Sequence, residues 1–198
     1  MPKQYPVTPE ISDLGQIVKD QWTTLATAAK DRHHPWHTPS LANVGDGVAQ
    51  VRTVVLRSAD PASRVLTCHT DTRSPKIAHL KKDPGFSWLF YDRDAKTQLR
   101  AYGHAWIHQD DALADQRWHD GAWRSAQCYR TPHAPGARCE ERDLDIVEPV
   151  SPETGREHFA VLACEITTID WLFLRVEGHR RAVFNWCESR WAGAWAAP

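Results

Sequence analysis

Arg52-Thr53-Val54-Val55-Leu56-Arg57, followed after a polar break by Cys68-His69-Thr70-Asp71-Thr72-Arg73-Ser74-Pro75-Lys76, decides the reading of this chain. β-Branched and apolar side chains between two arginines suit a buried strand. Alternation places Arg52, Val54 and Leu56 on one face and Thr53, Val55 and Arg57 on the other. Turn chemistry in Ser58-Ala59-Asp60-Pro61-Ala62-Ser63 predicts that residues 65–70 return as the second arm of a hairpin. Ser74-Pro75 then opens a short helix with Ser74 as N-cap, Ile77, Ala78 and Leu80 on its buried side, and Asp83-Pro84-Gly85 as its stop. A helix start presents unpaired N–H groups and a positive dipole end. Here Arg73, Lys76 and the hydroxyls of Thr70, Thr72 and Ser74 gather around it, which is the chemistry of a phosphate grip. The same charges also fit a solvated surface beside an ordinary cap; the hairpin upstream and Gln98 downstream favour the anion site.

Upstream, Ile11, Leu14, Val18, Trp22, Leu25 and Ala29 recur at helical steps, predicting an amphipathic helix over residues 8–30 capped by Thr8. Residues 31–37 read as a loop whose three histidines, His33, His34 and His37, lack a carboxylate or thiol at matching spacing; no metal site is expected there. Asn43-Val44-Gly45-Asp46-Gly47 is a tight turn between a strand from Pro39 and a return from Val48. Downstream, Phe86-Ser87-Trp88-Leu89-Phe90-Tyr91 reads as a fully buried or sandwich-type strand. Residues 98–108 read as a longer strand with Gly103 as a bulge, Gln98, Arg100, Tyr102 and His104 sharing one side. An amphipathic helix is expected over 110–127 and a long loop over 128–155. Strands at 159–166, 170–176 and 181–186 close the fold.

The chain has 198 residues, enough for one domain with a sizeable core, and its 24 basic against 25 acidic side chains give no global field toward nucleic acid or an anionic membrane. Five cysteines, at 68, 128, 139, 164 and 187, form no Cys-x-x-Cys pair and are odd in number, so a reducing compartment is expected. No apolar leader region and no run near the roughly 20 apolar residues of a membrane span is present, so the expected location is cytoplasmic. Ten tryptophans are unusual for this length; core or subunit contact is the default role for each, with one or two left to cover a ring-shaped ligand.

These segments, in this order, resemble the pyridoxamine 5'-phosphate oxidase family, and within it the oxidase-related branch whose members often have no assigned substrate. Arg52, Thr53, Val54, Val55, Leu56 and Arg57 stand where the family has Arg-x-Val-Leu-Leu-Lys. His69, Thr70, Asp71, Ser74 and Lys76 stand in Tyr-Thr-Asn-x-x-Ser-x-Lys, Thr97-Gln98-Leu99-Arg100 in Arg-Gln-Val-Arg, and Trp191 to Pro198 in its C-terminal tail. The resemblance implies a mainly β fold with flanking helices (α+β), the FMN-binding split β-barrel, spanning residues 1–198 as a single domain. Its parts would be the helix at 8–30, a barrel core at 39–108, a helix and loop at 110–155, and closing strands at 156–198. It further implies FMN as cofactor, a homodimer with the flavin at the interface, and a small-molecule substrate.

Cofactor contacts would come from residues 52–57, His69, Thr70, Arg73, Ser74, Lys76, Gln98 and Arg181, and substrate contacts from Arg57, Ser125 and Arg180. Arg180 and Arg181 equally fit a solvated strand end. The sequence departs from the family at its substrate-phosphate positions, where Arg117 and Gly121 replace a tyrosine and an arginine and Ser125 alone is kept. The family's C-terminal Arg-x-His-x-Arg likewise becomes His179-Arg180-Arg181-Ala182-Val183. The expected activity is therefore hydride exchange between FMN and a substrate that need not be a B6 vitamer. A flavin reductase using a nicotinamide donor and a non-enzymatic flavin or haem module are the alternatives.

Overall fold

A computed structural model describes residues 13–125, 127–141 and 154–198. Helix α1 (Leu14–Lys30) is capped by Asp13, whose carboxylate accepts from Gly15 and Gln16 N–H; the expected cap at Thr8 lies outside the described residues. Its buried stripe of Ile17, Val18, Trp22, Leu25 and Ala28 joins the main core. After a short 3-10 turn that buries Trp36, nine strands among the described residues form one antiparallel sheet. They are β1 (Ser40–Gly45), β2 (Val48–Thr53), β3 (Ser58–Asp60), β4 (Val65–Asp71), β5 (Gly85–Asp92), β6 (Thr97–His108), β7 (Phe159–Phe173), β8 (Arg180–Cys187) and β9 (Arg190–Ala196). The order is β2-β1-β5-β6-β7-β4-β3, with β8 pairing β7 and β9 pairing β8. Helices α2 (Pro75–Lys82), α3 (Ala112–His119) and α4 (Gln127–Arg130) flank it. This is the mainly β, helix-flanked split barrel that the sequence implied.

Asp46 and Gly47 both take positive φ (53° and 76°), as the tight β1–β2 turn requires. The deciding stretch is not one strand. β2 ends at Thr53; Val54 and Leu56 then donate N–H to the carbonyls of Pro39 and His37, and Arg57 donates to Thr67. Residues 54–57 thus cross from the β1 side of the sheet to β4 and help close the barrel. Leu56 is fully buried, and the predicted alternation persists. The supposed break is shorter than expected because Ser58–Asp60 pairs with Val65–Thr67 as β3.

Other expectations need correction. Of the two readings of β5 the fully buried one falls: Phe86, Trp88 and Phe90 face the core, whereas Leu89 and Tyr91 are exposed, as on a strand covered on one side. The two strands expected at 159–166 and 170–176 are one long β7, with Thr167 as its unpaired extra residue opposite Tyr102 and Gly103. Gly103 is required there, because a Cβ would fall 1.8 Å from the Glu165 carbonyl oxygen. The helix expected over 110–127 stops at His119; Gly121 adopts φ 134° and the chain continues as a 3-10 turn and α4. On α2, Ile77 and Leu80 are buried but Ala78 is exposed. Residues 190–196, read only as a tail, form β9.

Inward side chains of the sheet, including Leu41, Trp88, Leu99, Ala101, Trp171 and Ala182, build the core. A second, smaller cluster of Ala114, Trp118, Tyr129, Phe159 and Val161 packs α3 and α4 against β7. Five of the tryptophans, Trp22, Trp36, Trp88, Trp118 and Trp171, are buried, whereas Trp106 and Trp195 stay exposed. Among the described residues no helix is long and apolar enough to cross a membrane.

Candidate functional site

Strand alternation sends Cys68 and Thr70 to the inner side of β4 and His69 and Asp71 to the outer side. On the inner side, Lys76 Nζ donates to Thr70 Oγ1 and to Ser74 Oγ, both at 2.8 Å. Ser74 is the N-cap position of α2 but makes no side-chain capping bond; its hydroxyl accepts from Lys76, leaving the first-turn N–H groups without a side-chain acceptor. Arg52, across β2, donates to Asn43 Oδ1 at 2.5 Å and is held over the Leu41 carbonyl. Burial first, and then the Arg52 charge, pushes the Lys76 ammonium below its ordinary pKa. Burial likewise lowers Arg52. The thiol of Cys68 beneath them is pushed up to about 12 by burial, against the pull of Lys76, Arg57 and Arg52.

Two cations therefore share a partly buried corner with hydroxyl donors, and among the described residues no carboxylate lies within ion-pair distance of either. Such a donor set fits a phosphate.

Arg73, expected in the same grip, is engaged elsewhere. Its guanidinium forks onto Asp71 (Nε–Oδ1 3.1 Å, Nη2–Oδ2 2.8 Å) and donates to the Thr131 carbonyl at 2.8 Å. The Asp71 hydrogen bond is the main reason its pKa lies above the usual arginine value. Asp71 also caps the turn by accepting from Arg73 N–H, so this pair fixes the loop that carries Ser74.

Gln98 and Arg181 flank Leu172 in one cross-strand row on the outer face of β6, β7 and β8. Arg181 forks onto Asp170 (Nε–Oδ1 3.0 Å, Nη2–Oδ2 2.7 Å), which also accepts from Arg100. Arg180 lies over the Trp195 ring at 5.8 Å. Arg52 pairs with Leu41 and so points to the opposite, inner side of the same sheet. One copy of the chain thus does not bring Gln98 and Arg181 to the Lys76 corner. The outer face that carries them also exposes Val44, Val51, Leu89 and Tyr91.

On the outer side of β4, Arg57, His69, Arg117, Asp120, Gly121, Ala122 and Ser125 line a cavity of about 280 Å³. The His69 ring packs edge-on against Phe159 at 4.9 Å. Burial first, then the charges of Arg57 and Arg117, push its imidazole down to about 4. Arg57 and Ser125, singled out from sequence as substrate contacts, thus meet Arg117 and Gly121 at one place. Sequence reasoning missed Asp120 here and Asn43 at Arg52. Asn43 could have been found, because the Asp46-Gly47 turn sets the register that brings it beside Arg52.

The histidines of residues 31–37 have other work: His34 Nδ1 accepts from Trp36 N–H, and His37 Nδ1 lies 2.7 Å from the Ala28 carbonyl oxygen.

Residues 19–109 match the family described as pyridoxamine 5'-phosphate oxidase, FMN-binding domain. A pyridoxamine 5'-phosphate oxidase-related, FMN-binding protein from Nostoc punctiforme superposes with TM-score 0.70 at 20% identity, covering 94% of this chain and 99% of its own. PhzG from Burkholderia lata, solved with tetrahydrophenazine-1-carboxylic acid, gives TM-score 0.70 at 18% identity over 97% and 98% of the two chains. A protein related to general stress protein 26 from Clostridium acetobutylicum gives 0.53 at 14% identity over 83% and 91%. At these identities the likeness is one of fold. No curated protein matches the sequence. Residues 19–109, which include the Lys76 corner, are thus similar to the FMN-binding domain of the pyridoxamine 5'-phosphate oxidase family, and FMN is the cofactor this match supports.

Proposed function

We propose that this protein is an FMN-dependent oxidoreductase that exchanges hydride between a small substrate and N5 of bound FMN. Arg52, Lys76, Thr70 and Ser74 hold the FMN phosphate. The observation that carries this reading is Lys76: a partly buried ammonium whose hydrogen bonds go to two hydroxyls, with a depressed pKa that a dianion would relieve. Residues 53–56 supply backbone along the ring, and Gln98, which can donate and accept at once, reads its imide edge.

Since Gln98 and Arg181 lie across the sheet from the phosphate corner, they are supplied by a second copy. The working form is therefore a homodimer with flavin at the interface, and the exposed Val51, Leu89 and Tyr91 face is what the copies bury. The substrate enters beside Arg57 and Ser125, in the cavity that also holds His69 and Arg117.

FMN supplies the redox chemistry when bound; the chain's residues bind, orient and exclude water. The test is reconstitution with FMN, removal of excess, and sedimentation of the product. Retained flavin on a dimer is expected, and anaerobic bleaching by a reduced nicotinamide dinucleotide, against bleaching by small amines or alcohols followed by reoxidation with oxygen, then separates reductase from oxidase. A monomer that keeps full FMN, or a protein that keeps none, would overturn the proposal.

A further inference from the structure

Three of the ten tryptophans meet at a place that neither the Lys76 corner nor the outer cavity includes. Trp186 and Trp191 flank the β8–β9 turn, where Glu188 and Ser189 both take positive φ (49° and 58°). A two-residue turn of this kind sets the hairpin register. Here it makes the two indoles direct cross-strand partners, with ring centroids 5.4 Å apart and planes at 69°. Residues with a Cβ seldom adopt that backbone conformation, so packing around the hairpin has to hold it. Trp22, from the buried stripe of α1, approaches Trp191 at 6.3 Å. Together with Lys19 and Thr23 of α1 and Pro61 of the β3–β4 turn, these indoles line a cleft of about 600 Å³.

Its walls are formed without a ligand. Trp22 is only 4% exposed. The Arg64 guanidinium lies 4.2 Å over the Trp186 ring and is itself paired to Glu165, which holds that indole in place. The lining is chiefly apolar. Lys19 is its single charged residue, is exposed, and forms no ion pair among the described residues. Thr23 donates its hydroxyl proton to the Lys19 carbonyl, so the ammonium is the group left to choose a ligand's charge.

We propose that this cleft is a second ligand site, for a small planar aromatic carboxylate whose rings sit among Trp22, Trp186 and Trp191 and whose carboxylate pairs with Lys19 at the rim. The volume suits a ligand of about two or three rings. A stable protein partner would instead need roughly 800 Å² of surface on this side. Indole faces and edges favour an aromatic ring over an aliphatic body of equal area, through offset and edge-to-face contacts. One ammonium beside an otherwise apolar lining selects an anion over a neutral or cationic analogue. The site is separate from the proposed flavin chemistry: its lining residues belong neither to the Lys76 corner, nor to the Arg57 and Arg117 cavity, nor to the Val51, Leu89 and Tyr91 face.

The probe is 2-naphthoate, titrated calorimetrically into FMN-saturated protein, with 2-naphthamide and decalin-2-carboxylate as the uncharged and the saturated analogues. Naphthoate should bind, and each analogue should bind about two- to fivefold more weakly. Lys19→Met should weaken naphthoate by up to about fivefold, as expected for an exposed ion pair, and leave naphthamide unchanged. Trp186→Ala should weaken both by about tenfold or more. Because that change also removes packing, Thr23→Phe, at an exposed position of α1, fills the cleft while leaving the hairpin intact; it should abolish binding. Arg117→Gln, in the outer cavity, should change nothing.

Naphthoate binding that survives Thr23→Phe but is lost in Arg117→Gln would move the acid to the outer cavity and overturn the proposal. So would equal affinities for naphthoate and naphthamide, equal affinities for the aromatic and the saturated acid, or no binding at all. Flavin retention is read by absorbance in the same samples. Its loss counts against the cofactor reading alone, and the same titrations on the flavin-free protein still decide the cleft.

Discussion

Replacing Lys76 by methionine removes the cation from the phosphate corner and keeps the length of its stem. In the wild type, two of the ammonium's three donors are directed at Thr70 and Ser74, which leaves one for a phosphate oxygen. A hydrogen bond to a charged group contributes about 1.5–3 kcal/mol, so FMN should bind roughly 10- to 150-fold more weakly. Riboflavin, which lacks the phosphate, should lose almost nothing, so the ratio of the two affinities isolates the contact. Fluorescence quenching of each flavin on titration with protein measures both.

The same variant carries a stability signature of known sign. Burial and Arg52 hold the folded-state pKa of Lys76 below its unfolded value, so the unfolded chain binds more protons between the two. Stability of the FMN-free protein therefore rises with pH across that window, and Lys76→Met should lack this increment in urea melts. Equal loss of FMN and riboflavin, or no loss of FMN, would refute the placement of the phosphate.

Three further outcomes follow from contacts already described. Arg73→Ala should leave the FMN-to-riboflavin ratio intact but lower unfolding free energy by about 1–3 kcal/mol in urea, because Asp71, with a side chain only 5% exposed, loses its fork partner. Gln98→Ala should weaken FMN and riboflavin alike, by about fivefold for a neutral hydrogen bond worth about 1 kcal/mol, the opposite pattern to Lys76. Gly103→Ala should destabilise by about 3 kcal/mol, since its Cβ would meet the Glu165 carbonyl oxygen at 1.8 Å and only backbone can yield; a urea midpoint unchanged from wild type would contradict the bulge.

Much of the fold was legible because it is written locally. Asp46-Gly47 selects its own hairpin turn, Ser74-Pro75 opens α2, and period-two alternation sorts Leu99 and Ala101 from Gln98 and Arg100. Thr70, Ser74 and Lys76 could be joined from sequence because they sit on one strand end and the helix start that follows it.

What the sequence could not decide involves partners far apart along the chain. Arg73 looks like a phosphate ligand by spacing, yet Asp71 and the Thr131 carbonyl hold it, and only the packing of α4, through Tyr129 on Phe159 of β7, brings Thr131 there. Arg181 likewise belongs to Asp170 because β7 and β8 pair in that register. Whether residues 52–57 form one strand or a crossing segment depends on which carbonyls lie within reach, and those belong to His37, Pro39 and Thr67. Local sequence thus determined the elements and the composition of the Lys76 corner. Tertiary structure decided which cations are neutralised by the protein's own acids and which face of the sheet each of these side chains occupies, because charge pairing and strand register are settled between segments, not within them.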